Sequence, residues 1–171
     1  LIEAGADTSR SDSRNVTAWA AAAARGQRQV CDLLESDGVQ VDVQLALLVA
    51  AECGEVEIAE SLIERGADVN AVTGFGDGRA TALETVVASD TIEVNADSAD
   101  LEDDNEYEVI EARRLELFEM LLGHGGNPDT VDADGRPLLH DVVSHNRSAC
   151  LRKLAEMGAD LVVVTSDNPR G

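Results

Sequence analysis

Leu62-Ile63-Glu64-Arg65-Gly66-Ala67-Asp68 is a near copy of Leu1-Ile2-Glu3-Ala4-Gly5-Ala6-Asp7, and a third version stands at Leu154-Ala155-Glu156-Met157-Gly158-Ala159-Asp160. Weaker copies are Leu34-Glu35-Ser36-Asp37-Gly38 and Leu121-Leu122-Gly123-His124-Gly125. The glycines at 5, 38, 66, 125 and 158 are spaced by 33, 28, 59 and 33 residues. A period of this length marks an array of small supersecondary units rather than one globular core. Each glycine sits where a helix is expected to end with positive φ, a conformation that disfavours any residue with a Cβ.

Two further markers keep register with the glycines. Small-residue pairs stand ahead of the Leu positions: Ala22-Ala23, Ala50-Ala51, Val86-Val87 and Val142-Val143. Before them come helix-opening tetrads: Thr17-Ala18-Trp19-Ala20, Thr81-Ala82-Leu83-Glu84 and Pro137-Leu138-Leu139-His140. Thr17 and Thr81 are placed to cap a first helix through their hydroxyls. In this register the chain resembles the ankyrin repeat, whose pattern runs D-x-x-G-x-T-P-L-H-x-A-A-x-x-G and then I/V-V-x-x-L-L-x-x-G-A-D-x-N. The resemblance implies an all-α solenoid of stacked, short antiparallel helix pairs with β-hairpin fingers. No unit of such a stack buries its apolar stripe alone.

The spacing predicts full units at 8–40, 41–68, 69–127 and 128–160, with partial units at 1–7 and 161–171, as in a piece of a longer array. The 28-residue gap lacks five residues between Asp42 and the helix opening near Leu45, so unit 41–68 is expected to have no finger. The 59-residue gap holds 26 extra residues. Three enlarge the finger at Gly74-Phe75-Gly76-Asp77-Gly78-Arg79, and the remaining 23 fall between the two helices of that unit. These 23 run roughly from Thr91 to Arg113, and the stretch 91–107 within them is acidic and low in aliphatics, which is the composition of a disordered or mobile loop. From Glu106 onward, Tyr107, Ile110, Arg114, Leu117 and Leu121 return to helical spacing and predict a lengthened second helix.

Composition narrows the function. Asp and Glu number 34 against 13 Lys and Arg, a formal charge of −21. That field repels phosphate backbones and anionic headgroups, which argues against binding nucleic acid or a membrane surface unaided. Aromatic residues make up 2% of the chain, too few for a platform that stacks bases. The apolar runs Leu45–Ala51 and Leu161–Val164 are too short to span a bilayer. Cys31, Cys53 and Cys150 form no CxxC pair, which argues for a reducing, intracellular setting and against a disulfide framework or a zinc site.

Few residues suggest chemistry. Asp100, Glu102, Asp104, Glu106, Glu108 and Glu111 fall at positions 1, 3, 5, 7, 9 and 12 of a calcium-loop register. Position 6 is Asn105 where the sharp turn needs glycine, so a solvated acidic loop is the stronger reading. Asp100, Glu102, Asp104 and Glu111 remain weak metal candidates. Gly74-Phe75-Gly76-Asp77-Gly78 misses the last glycine of a phosphate-cradling loop and reads as an enlarged finger. Trp19, Cys31 and Cys150 fall on core positions, and His140 takes the family's structural histidine place. His124, His140 and His145 are not spaced as ligands. No Ser/His/Asp set and no carboxylate pair stands out, so neither an enzyme nor a cofactor is expected.

The resemblance implies a monomeric protein-interaction scaffold whose fingers and first helices line a concave face. Carried over position by position, the family's contact places are Ser13, Arg14, Val16, Ala24 and Arg25 in the first full unit, and Glu52 and Cys53 in the second. They continue with Phe75, Asp77, Arg79, Ala88 and Ser89, then Ala133, Asp134, Arg136, Ser144 and His145. Ser13, Arg14, Arg25, Phe75, Asp77, Arg79, Asp134, Arg136 and His145 are the leading partner contacts among them. The acidic field is expected to steer a protein with a basic segment. Two alternatives stay open: a regulatory or targeting arm of a larger enzyme or channel, and, less favoured, a calcium-responsive module acting through the insertion.

Overall fold

The structure, a computed structural model of the 171-residue chain, describes residues 10–11, 16–75, 78–90, 92, 106–132 and 134–159. Its helices come in consecutive pairs: α1 (Ala18–Ala23) with α2 (Arg28–Ser36), α3 (Val43–Cys53) with α4 (Val56–Glu64), α5 (Ala82–Ala88) with α6 (Glu106–Gly123), and α7 (Leu138–Ser144) with α8 (Ser148–Glu156). The first helices α1, α3, α5 and α7 stack on one another, and the second helices α4, α6 and α8 form an outer row. Burial follows that layering. In α3 every residue from Ala46 to Ala51 is buried, because neighbours cover the helix on both sides. In α4 only Ile58, Ala59 and Leu62 are buried, and the rest of the helix meets solvent.

The caps match the sequence markers. Thr17 accepts a bond from the Ala20 amide at 3.2 Å. Thr81 and Glu84 form a reciprocal capping box, in which the Thr81 hydroxyl accepts from the Glu84 amide and a Glu84 carboxylate oxygen accepts from the Thr81 amide. Gly38, Gly66, Gly125 and Gly158 all have positive φ. One unit departs from the family pattern. Pro137 takes the place of the capping threonine and offers no hydroxyl, so α7 has no side-chain cap, and His140 follows in its first turn. Its ring is exposed, and its nearest charged partner is the adjacent Asp141 at 3.7 Å.

Fingers vary from unit to unit. Strands β1 (Thr73–Phe75) and β2 (Gly78–Ala80) pair antiparallel with Thr73 opposite Ala80, while Ser11–Thr17 and Val131–Pro137 are single bridges. Residues 37–42 hold no strand, and Asp42 directly caps α3 through the Gln44 and Leu45 amides. Gln44 compensates for the lost finger: its side-chain amide donates to the Asp68 carbonyl at 2.8 Å and accepts from the Asp68 amide at 3.0 Å. Asn70 makes the corresponding clip in the next unit, on the Gly125 carbonyl and the Asn127 amide.

The insertion changes how α5 ends. In three units the carbonyl of the first small-pair residue accepts a backbone N–H from the position eleven residues before the glycine. The bonds are Gln27 to Ala22, Glu55 to Ala50, and Arg147 to Val142, all between 2.9 and 3.0 Å. In the remaining unit that position is Arg114, already inside α6, and its side chain takes over by donating from the guanidinium to the Val86 carbonyl. Arg147 reaches across from the next unit and donates to the carbonyls of Val87 at 3.1 Å and Ser89 at 2.9 Å. Both arginines are buried, with 1% and 8% of their surface exposed. Burial and then the Arg147 charge pull the Arg114 guanidinium below its usual pKa. The Glu111 carboxylate accepts from both arginines, at 3.0 and 3.1 Å, and offsets their mutual repulsion.

Parts of the 91–107 stretch are ordered. Ile92 is buried, and the positive-φ Gly54 leaves room for it, since a Cβ there would lie 2.7 Å from Ile92 Cγ2. At the other end α6 begins at Glu106 and runs for 18 residues, twice the length of α2, α4 or α8. Residues 91 and 93–105 lie outside the described residues. Replacing Arg147 by Met is expected to cost about 3–5 kcal/mol in urea denaturation, because two carbonyls and two carboxylates lose a buried cation. A loss within the scatter of surface substitutions, about 0.5 kcal/mol, would show that the guanidinium contributes little to the end of α5.

Candidate functional site

The finger β1–β2 and the first helices enclose a groove of about 290 Å³, lined by Glu52, Arg79, Ala80, Glu84, Thr85, Ala88, Ser89, Asp132 and Asp141. Each wall has a local cause. Strand pairing projects Arg79 and Ala80 from the finger, and the capping box fixes Glu84. Ser89 closes the end nearest the insertion: its hydroxyl donates to the Glu52 carbonyl at 2.6 Å while its own carbonyl is held by Arg147. The arginine cluster therefore positions one end of the groove.

Four of the nine lining residues are carboxylates, and they are not equivalent. Glu84 is committed to Thr81 and reaches the Thr130 hydroxyl at 3.5 Å. Asp132 accepts from the Asp134 and Arg136 amides at 2.8 Å and pairs with the Arg136 guanidinium at 2.7 Å. Burial is the largest single influence on Asp132 and pushes its pKa up, but those donors together outweigh it and hold the carboxyl below its usual range. Asp141 sits in the first turn of α7, where a helix N-terminus favours negative charge. Glu52 is half-buried at the end of α3, and burial raises its pKa.

Only part of the expected contact set converges on this groove. Arg79 lines it directly. Arg136 borders it through Asp132, and its other contact is the exposed Asp134 at 3.4 Å. Phe75 ends β1, opposite Gly78. Arg25 is exposed in the turn after α1, outside the groove lining. His145 is half-buried after α7, and its Nδ1 lies 2.9 Å from the Asp141 carbonyl, so the ring is tied to its own helix. Ser13, Arg14 and Asp77 lie outside the described residues. The sequence reading placed Glu52, Ala88 and Ser89 at contact positions but gave no such role to Glu84, Thr85, Asp132 or Asp141. The Thr81-x-x-Glu84 spacing is a capping-box signal and locates Glu84, whereas Asp141 reaches the groove only through the stacking of α7 on α5.

The other candidates resolve differently. Glu111 pairs with both Arg114 and Arg147. Asp100, Glu102 and Asp104 lie outside the described residues, among which no cluster of metal-binding side chains occurs. Burial pushes the Cys31 and Cys150 thiols up to about 11, as expected for core residues rather than nucleophiles. Trp19 is buried and donates its indole N–H to Glu35 at 2.8 Å. No described helix is long and apolar enough to cross a membrane.

A stack of helix pairs fronted by a finger-lined groove defines a repeat protein of the helical solenoid class. The family model for ankyrin repeats, in three copies, matches residues 1–73. The crystal structure of an ankyrin repeat domain from Acinetobacter baumannii AYE has the same fold, with a TM-score of 0.62 and 24% identity over 92% of this chain and 72% of that one. The match to the ankyrin repeat model therefore covers residues 1–73, and the units that follow share the fold of an ankyrin repeat domain. No curated protein matches it.

The raised pKa of Glu52 gives a pH test. The folded state holds this proton more tightly than the unfolded state. The group therefore contributes fully to stability below the ordinary value of 4.5, and that contribution is lost as pH rises through the raised value. At neutral pH the Glu52 carboxylate opposes folding. Glu52→Gln is expected to be more stable than the parent in urea at pH 7, with the difference vanishing below pH 4.5. Equal stability at both pH values would contradict the assignment.

Proposed function

We propose that this chain is a non-enzymatic protein-interaction module that receives a basic segment of another protein in the groove between its fingers and first helices. Ankyrin repeats serve generally as protein-interaction modules, and a site, not the fold alone, assigns the kind of partner. The observation that carries the reading is the groove lining, in which four of nine residues are carboxylates, Glu52 among them. A half-buried carboxylate held at a pKa above its ordinary value opposes folding at neutral pH, and it lies in the lining of the groove. A partner's cation beside it would favour its charged form, and the −21 net charge would speed the encounter.

The test uses a fluorescein-labelled nona-arginine peptide and fluorescence anisotropy at about 20 mM and about 500 mM salt, a range over which the Debye length shrinks severalfold. Binding is expected to weaken steeply with salt. At low salt Glu52→Gln is expected to weaken it about tenfold, the equivalent of ~1.4 kcal/mol. Glu60→Gln, which removes the same charge from the exposed side of α4, is expected to change it less than twofold, as for an isolated surface charge at about 0.4 kcal/mol or below. Equal losses in the two variants would mean that the peptide senses only the general field of the protein.

A further inference from the structure

We propose that Arg79 determines which segments the groove accepts, so that the preferred occupant is a mixed-charge peptide segment rather than a wholly basic one. The inference rests on the reading of the groove as a docking surface and adds the chemistry of the partner.

Arg79 stands in the middle of β2 opposite Gly74, exposed, in the wall of a groove that also holds four carboxylates. Among the described residues it pairs with none of them, and its one hydrogen bond goes to the Val72 carbonyl at 3.3 Å. The neighbouring arginines behave differently. Arg136, in the next finger, is tied to Asp132 and Asp134, and Arg147 is tied to Asp90 and Glu111. Glu84 and Asp132 direct their oxygens at the capping box and at Arg136, which keeps them from closing on Arg79.

The groove is therefore dipolar. One wall carries a guanidinium that pairs with no described carboxylate, and the end of α3 carries the half-buried Glu52 carboxylate. A segment of uniform positive charge meets attraction at Glu52 and repulsion at Arg79. A segment that places a basic residue toward Glu52 and an acidic residue toward Arg79 satisfies both. Juxtaposed like charges suppress wrong partners in this way while complementary ones fix the register.

The experiment compares nona-arginine with a nonapeptide of alternating arginine and glutamate at low salt, on the full 171-residue chain. The proteins are the parent, Arg79→Ala, Glu52→Gln, Glu60→Gln and Arg152→Ala. Arg152 is exposed on α8, so its removal makes the same change in net charge away from the groove. Arg79→Ala is expected to tighten nona-arginine binding about threefold or more beyond the effect of Arg152→Ala, and to weaken the alternating peptide by a similar factor. If Arg79→Ala and Arg152→Ala shift both peptides alike while Glu52→Gln still weakens nona-arginine selectively, the role of Arg79 is overturned and the groove reading stands. If neither peptide binds, or Glu60→Gln acts as strongly as Glu52→Gln, both readings fall.

Discussion

The bond that ends α5 organises the rest of the molecule. A helix terminus leaves carbonyls without intrahelical partners, and each repeat must supply donors for them within a short turn. At Ala22, Ala50 and Val142 the donor is the backbone amide eleven residues ahead of the helix-ending glycine. Once an insertion separates α5 from α6, that amide is withdrawn into a longer helix. The side chain of the same repeat position, Arg114, then makes the bond to Val86. The geometric role of the position is kept and the chemical group that performs it changes. Arg147 completes the arrangement from the following unit, so the end of α5 is secured by two repeats at once.

That solution buries two guanidinium groups, which is tolerated because each finds several acceptors and Glu111 lies between them. It also joins the insertion to the groove. Ser89 accepts from Arg147 through its carbonyl and holds the Glu52 carbonyl through its hydroxyl, while Ile92 settles into the space over Gly54. The long insertion thus leaves the stack from a fixed root, and the groove keeps a defined end. Gln44 shows the same economy on a smaller scale. Where the finger is missing, a helix residue clips the following loop much as Asn70 does beside the intact finger.

Much of this was legible in the residues. The glycine spacing, the small pairs and the Thr17 and Thr81 caps each correspond to an observed helix end or helix start. The missing finger before α3 and the doubled length of α6 follow from the irregular gaps. His140, at the family's histidine place, is exposed beside Asp141 and follows a proline that offers no cap. Glu111 closes an acidic register that reads chiefly as a solvated loop. The fold turns this one residue inward, onto two arginines.

Local chemistry is what the sequence determined: which residues cap, which end a helix, and which small side chains allow helices to stack. These depend on interactions spanning a few residues, and they recur because the unit recurs. Tertiary stacking decided where charge is buried and where it remains available. Glu111 and Arg147 are 36 residues apart, and Ser89 and Arg147 are 58 apart. Burial of a charge depends on every element packed around it, and no spacing along one unit encodes that. The same holds for the groove, whose carboxylates come from α3, α5, α7 and the last finger. Whether each carboxylate supports the fold or faces a partner is fixed only when those elements meet.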